Sequence, residues 1–118
     1  MLIVLFRSKL VDQPDGYAEM AQEMLDAGRT MPGFIDVKAF KAEDGERLTV
    51  VWWKDEETLR AWRLHARHLV AQRLGRERWY EYYKIEVADV IRARDFTRPP
   101  EADQRRSTEN PPAPRTAM

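Results

Sequence analysis

Two histidines, three residues apart, are the side chains of this sequence best suited to acid–base chemistry. His65 and His68 lie in the segment from Trp52 to Tyr83, which also holds all four tryptophans. Imidazole has an ordinary pKa near 6.5, so it can accept a proton close to neutral pH. A well-placed base of this kind typically accelerates a reaction by about 10²- to 10⁴-fold. The two histidines are therefore the candidate general bases.

The periodicity of this segment predicts which histidine faces inward. Apolar residues recur at helical spacing, and a turn of about 100° per residue places Trp62 and Leu69 on one margin of the apolar face. His65 then lies just beyond them, and His68 lies farther round. We therefore expect His65 to be the base. The alternative is that Trp62 is a core anchor and that both histidines are ordinary residues on the flank of a helix.

The helix that carries these residues is one of six predicted elements. Strands are predicted over residues 2–9, 34–41, 47–53 and 80–95, and helices over residues 15–29 and 55–75. Asp55 is a good N-cap for the second helix, and Gly75 is expected to end it in a left-handed turn. Asp44 and Gly45 mark a hairpin turn. The order β-α-β-β-α-β predicts an α+β, ferredoxin-like fold, with a four-stranded antiparallel sheet and both helices on one face.

The first and third predicted strands are apolar at successive positions, so both of their faces are apolar. Examples are Leu5 and Phe6 in the first strand, and Val51 and Trp52 in the third. Because two helices cover only one face of such a sheet, the other face needs a different cover. A second copy of the chain is the simplest one. The sequence therefore predicts a homodimer.

The overall composition narrows the class of protein. Twenty basic and twenty acidic residues are interleaved along 118 residues, which gives no basic surface for nucleic acid and no polybasic patch for a membrane. The absence of cysteine excludes disulfides, thiolate nucleophiles and Cys-ligated metals, and favours the cytoplasm. No carboxylate joins the two histidines at ligand spacing, so no metal site is predicted. A small, roughly neutral aromatic molecule fits this composition better than a polyanion or a membrane.

The C-terminal part of the chain differs in composition from the rest. Residues 97–118 contain five of the seven prolines and almost no large apolar residue. Such a segment cannot offset its ordering entropy by burial, so we expect a flexible tail. The folded domain is therefore predicted to span residues 1–96.

Several short motifs of this domain resemble those of the antibiotic biosynthesis monooxygenase (ABM) family. They are Met31-Pro32-Gly33-Phe34 before a strand, Trp52-Trp53-Lys54-Asp55-Glu56-Glu57 before a helix, Trp62 and His65 on that helix, and Trp79-Tyr80 after Gly75. The resemblance covers residues 1–96. It implies a dimeric α+β barrel.

The resemblance also implies an activity. One kind of family member oxidises an electron-rich phenol, anthrone or hydroquinone with dioxygen, without metal or flavin. A base removes a substrate proton, the anion gives an electron to oxygen, and a dry apolar cage holds the pair. The residues that we assign to such a site are His65 as base, Phe6, Trp52, Trp62 and Leu69 as the cage, and Arg7 or Tyr80 as a charged or hydrogen-bonding partner.

Two other functions are compatible with this resemblance. Haem-degrading members need an asparagine on the first strand, where this chain has Arg7 and Ser8. They also need a histidine about ten residues after the tryptophan, where this chain has Gln72, so this activity is disfavoured. A non-catalytic dimer that binds a small molecule remains the main alternative, because aromatic residues at helical spacing often serve packing alone.

Overall fold

The computed structural model of the protein describes residues 1–100, and they form one antiparallel sheet with helices packed on one face. The elements in chain order are β1 (Leu2–Leu10), α1 (Tyr17–Arg29), β2 (Phe34–Lys41), β3 (Arg47–Trp53), α2 (Glu56–Arg63), α3 (Ala66–Leu74), a single π-helical turn (Gly75–Trp79) and β4 (Tyr80–Asp89). The predicted ferredoxin-like α+β fold is confirmed.

The sheet has the strand order β2-β3-β1-β4, so β1 and β3 are its central strands. Leu5 of β1 lies opposite Val50 of β3 on one side and Glu86 of β4 on the other. Because side chains alternate along a strand, Val4 and Phe6 face the helices while Leu5 faces outward. This alternation decides which residues reach the space under the helices.

The core lies where β1, β3 and α2 meet. Leu2, Trp53 and Leu59 are buried, with 6%, 1% and 4% of their surface exposed, and they contact one another. The partly buried residues packed against them are Val4, Met31, Phe34, Val51 and Trp62. This cluster fixes the start of α2 against the sheet and leaves the space farther along the helices less completely filled.

Asp55 caps α2 as predicted. Its carboxylate accepts hydrogen bonds from the backbone N–H of Thr58 at 2.9 Å and from the Thr58 hydroxyl at 2.9 Å. These bonds stabilise the charged form and lower the pKa of Asp55. The cap satisfies one of the amide groups that a helix start leaves unpaired.

The predicted helix over residues 55–75 is divided into two. It is interrupted at Leu64 and His65, and His65 has the extended backbone of an N-cap, with φ −61° and ψ 134°. Its Nδ1 accepts a hydrogen bond of 3.2 Å from the backbone N–H of Arg67. The side chain of His65 therefore caps the start of α3. Because α3 begins anew there, the side chains that follow point in directions different from those expected for one continuous helix.

Gly75 does not end the helix in a left-handed turn, so that prediction is wrong. Its φ of −59° is right-handed, and the chain continues into the π-helical turn. Glycine is needed there for another reason, since a Cβ atom would lie 2.7 Å from Cε2 of Tyr80. At the end of this turn, the indole N–H of Trp79 donates a 2.7 Å hydrogen bond to the carbonyl oxygen of Asp15.

The last strand is shorter than predicted, because β4 ends at Asp89 rather than at residue 95. The backbone N–H of Val90 still donates to the carbonyl oxygen of Met1 at 2.9 Å. Residues 91–100 have no helix or strand. Most of the predicted tail, residues 101–118, lies outside the described residues. Within residues 1–100, no helix has the length and apolar character needed to cross a membrane.

Candidate functional site

A cavity of about 570 Å³ lies between the helices and the inner face of the sheet. The sheet contributes apolar side chains from Val4, Phe6, Val51 and Trp53, and α1 contributes Met24 and Leu25. This volume lies within the range of about 300 to 1,000 Å³ that is usual for small-molecule sites. The fold therefore leaves room for a ligand between the helices and the sheet. A filled core at this place would have indicated that the aromatic residues serve packing alone.

Trp62 and His68 form a stacked pair on the helical side of the cavity. Their ring centroids are 4.5 Å apart and their planes are inclined by 13°. Nδ1 of His68 lies 3.2 Å from the carbonyl oxygen of Trp62. Since a carbonyl can only accept, this bond requires hydrogen on Nδ1. Nε2 of the neutral ring then carries the lone pair that can accept a proton.

The surroundings of His68 favour its neutral form. Burial is the main cause that lowers its pKa, and the nearby charges of His65 and Arg63 lower it further, against the hydrogen bond to Trp62. The pKa of His68 is therefore below its ordinary value. At neutral pH the ring is available as a proton acceptor.

His65 has a different position from the one expected. It caps α3 and is absent from the cavity lining, whereas His68 lines the cavity. Its ring centroid is 5.5 Å from that of Trp62, with planes inclined by 37°. The predicted orientation of the two histidines is therefore reversed, because it assumed one continuous helix through residue 65.

Three of the predicted site residues line the cavity together: Phe6, Trp62 and Tyr80. Phe6 contacts Tyr80 edge to face at 5.6 Å and stacks on Tyr83 at 5.5 Å. Burial raises the pKa of the Tyr80 phenol, and Tyr17 raises it further. Tyr80 thus remains protonated at neutral pH and can donate a hydrogen bond.

Three others lie elsewhere. Arg7 and Trp52 are on the outer face of the sheet, since each alternates with a residue that faces the helices. Arg7 donates to the carboxylate of Glu46, with Nε at 3.1 Å, and the Tyr82 hydroxyl donates to the same carboxylate at 2.6 Å. Leu69 is 46% exposed and does not line the cavity. The structure therefore does not place these three side chains at the cavity.

Sequence reasoning missed several polar residues that line the cavity: Tyr17, Arg63, Gln72, Arg76 and Tyr83. Tyr83 could have been found from strand alternation, because it shares a face with Ile85. The places of Gln72 and Arg76 could not be predicted, because they depend on the interruption between α2 and α3. Within residues 1–100, no group of three or more His, Cys, Asp or Glu side chains is arranged to hold a metal ion.

The fold and its cavity define a small ferredoxin-like α+β domain with a ligand-sized site between helices and sheet. Residues 1–74 match the family described as antibiotic biosynthesis monooxygenase, and the chain belongs to this family. The uncharacterized protein YqjZ of Bacillus subtilis is 37% identical over 93 residues, which are 79% of this chain and 82% of that protein. The family resemblance seen in the motifs is confirmed.

Two further proteins extend the comparison. Jasmonate monooxygenase ABM of Pyricularia oryzae is 30% identical over 111 residues. The match covers 89% of this chain but only 52% of that protein, so the chain spans about half of its length. SnoaB of Streptomyces nogalater, described as a cofactor-independent oxygenase, has the same fold, with a TM-score of 0.66 at 12% identity. That match covers 78% of this chain and 94% of the SnoaB chain.

Proposed function

We propose that this protein is a cofactor-independent monooxygenase that oxidises a small aromatic substrate, such as a phenol, anthrone or hydroquinone, with dioxygen. The observation that carries the proposal is the ligand-sized cavity with the Trp62–His68 stack on its side. Membership of the family supports it, and so do the names of SnoaB and the Pyricularia protein as oxygenases.

In this mechanism the base is His68. Its Nε2 accepts the acidic proton of the substrate, and the resulting anion gives one electron to dioxygen. The two radicals combine to a peroxide, which loses water. For an anthrone, the ring CH₂ becomes C=O, so that one oxygen atom enters the product and the other leaves as water with the two hydrogens. The substrate supplies all four electrons.

The other cavity residues position the substrate and exclude water. Trp62 offers a flat apolar surface for the ring, and Phe6 and Trp53 cover it from the sheet. The Tyr80 hydroxyl, which forms a hydrogen bond with Tyr17 in the free protein, turns to donate to the substrate oxygen and stabilises the anion as charge develops. A low-water site strengthens both interactions.

We further propose that the active form is a homodimer in which the outer faces of two sheets pack together. The partly buried residues Ile3, Leu5, Leu48 and Trp52 give the centre of this face an apolar surface. The polar network of Arg7, Glu46 and Tyr82 lies on the same face. This arrangement, apolar at the centre and polar farther out, is typical of protein interfaces.

Oxygen uptake in chelator-treated buffer tests the proposed activity on a panel of anthrones and hydroquinones. His68→Ala should lower kcat by at least about 10²-fold, the lower limit expected for a lost general base. His65→Asn is the matched control, because asparagine removes the imidazole but can still cap α3, and it should keep most of the activity. Trp62→Ala should lower both kcat and substrate affinity. Full activity in His68→Ala would refute the assigned base, and saturable binding of the panel without oxidation would favour a binding protein.

A further inference from the structure

The cavity carries an unbalanced positive charge. Arg63 and Arg76 both line it, and no aspartate or glutamate does. Within residues 1–100 neither arginine forms an ion pair, whereas Arg7 pairs with Glu46 and Arg67 pairs with Glu23. Two cationic groups therefore border an apolar space without a carboxylate to neutralise them.

The two arginines come from different elements and line the same cavity. Arg63 is the last residue of α2, and Arg76 lies in the π-helical turn that follows α3. Both side chains are exposed, so they border the mouth of the cavity rather than its interior. Arg63 is also close enough to His68 for its charge to lower the pKa of that ring. The Arg63 side of the cavity thus adjoins the Trp62–His68 stack.

From this arrangement we infer that the preferred ligands are amphipathic carboxylates, with a small aromatic or apolar body inside the cavity and the carboxylate at Arg63 and Arg76. Guanidinium groups bind carboxylates through paired hydrogen bonds, and an apolar interior rejects a charged body. The inference rests on the proposed function, because it names the substrate class of the same cavity. It also sets the orientation, since the anionic end stays at the mouth.

The exposed position of the arginines limits the size of the effect. Water and salt screen a charge pair at a protein surface, so the preference for an anion should be about tenfold at low ionic strength and smaller in salt. A tenfold change in affinity is large enough to measure with two ligands of equal shape. The carboxylate 2-naphthoate and the neutral amide 2-naphthamide form such a pair.

Titration calorimetry of the full-length protein with these two compounds tests the inference. Wild type should bind 2-naphthoate about tenfold more tightly than 2-naphthamide. Arg63→Gln and Arg76→Gln should each reduce this preference, and the double variant should abolish it, while amide binding stays unchanged. Arg60→Gln and Arg73→Gln are matched controls, because Arg60 is exposed on α2, Arg73 is exposed near the end of α3, and neither lines the cavity.

The outcomes separate this inference from the oxygenase proposal. Equal binding of acid and amide by wild type would overturn it, and so would a preference that survives the double variant or is lost equally in the controls. If the protein oxidises neutral phenols but does not prefer acids, the oxygenase proposal is supported and the inferred carboxylate preference is refuted. An arginine-dependent preference without any oxygen uptake would support the carboxylate site and reject the oxygenase.

Discussion

The imidazole of His68 lies almost parallel to the indole of Trp62, with ring centroids 4.5 Å apart. The pair joins α2 to α3 across the interruption at Leu64 and His65. Stacking of this kind between aromatic rings stabilises by about 0.5–1.5 kcal/mol beyond area burial. The stack also holds His68, the proposed base, against Trp62, the proposed surface for the substrate. A substitution of either residue should therefore change the position of the other.

The half-buried position of His68 predicts a pH dependence of stability. Its folded pKa is lowered, so the unfolded chain binds more protons at its site. The stability that it contributes is complete above its ordinary pKa of about 6.5 and is lost as pH falls through the folded pKa. Urea unfolding at pH 7.5, 6.5 and 5.5 should therefore show a smaller acid loss in His68→Gln than in wild type.

The same measurement has an internal control. Glu23, Glu46 and Asp55 have pKa values below their ordinary range, so their contribution is lost only at more acidic pH. His65→Gln removes the neighbouring imidazole and should keep most of the wild-type slope. An unchanged slope in His68→Gln would show that burial of this ring does not affect its protonation.

Replacing two glycines with left-handed φ by alanine should lower the free energy of unfolding by different amounts. Gly33 has φ +86° and a Cβ there would lie 2.3 Å from Thr58 Oγ1, whereas Gly45 has φ +94° and open space around it. Gly45→Ala should cost only the strain of the left-handed backbone, about 1–2 kcal/mol. Gly33→Ala should cost several kcal/mol more, because the start of α2 must move. Chemical denaturation compares the two, and equal losses would contradict the predicted clash.

Gly75 and Tyr80 should be energetically coupled. A Cβ on residue 75 would lie 2.7 and 2.9 Å from two ring carbons of Tyr80, so Gly75→Ala should destabilise wild type by about 1–3 kcal/mol. In a Tyr80→Ala background the clash is gone, and alanine should be neutral or stabilising by up to about 1 kcal/mol. A double-mutant cycle of unfolding free energies measures this coupling. Additive effects would show that the ring moves aside freely.

The apolar outer face of the sheet predicts a dimer that does not dissociate on dilution. Light scattering should give about twice the 13.9 kDa chain mass. Leu5→Lys places a charge at the centre of this face and should shift the mass toward that of a monomer. Leu64→Lys is the control, since Leu64 is 57% exposed at the end of α2. A monomeric wild type, or a Leu5→Lys variant that stays dimeric, would contradict the proposed interface.

The sequence was sufficient to predict the order of the elements, because strand alternation, the Asp55 cap and the turn at Gly45 act locally. It was insufficient for the direction of the histidines, because the side chain of His65 caps a new helix and resets the helical phase. Local alternation already showed that Phe6 and Arg7 face opposite sides of a strand. Both could not belong to one cavity, and only the placement of the helices decides which of them does.

The cavity makes the stability of the fold depend on what it contains. Its volume of about 570 Å³ leaves apolar side chains without packing partners, and a ligand supplies those partners. A ligand present at one hundred times its dissociation constant adds about 2.7 kcal/mol to the free energy of unfolding. Such an increment lowers the unfolded fraction about a hundredfold, and proteases act on that fraction. The amount of this protein in a cell would then follow the supply of its ligand.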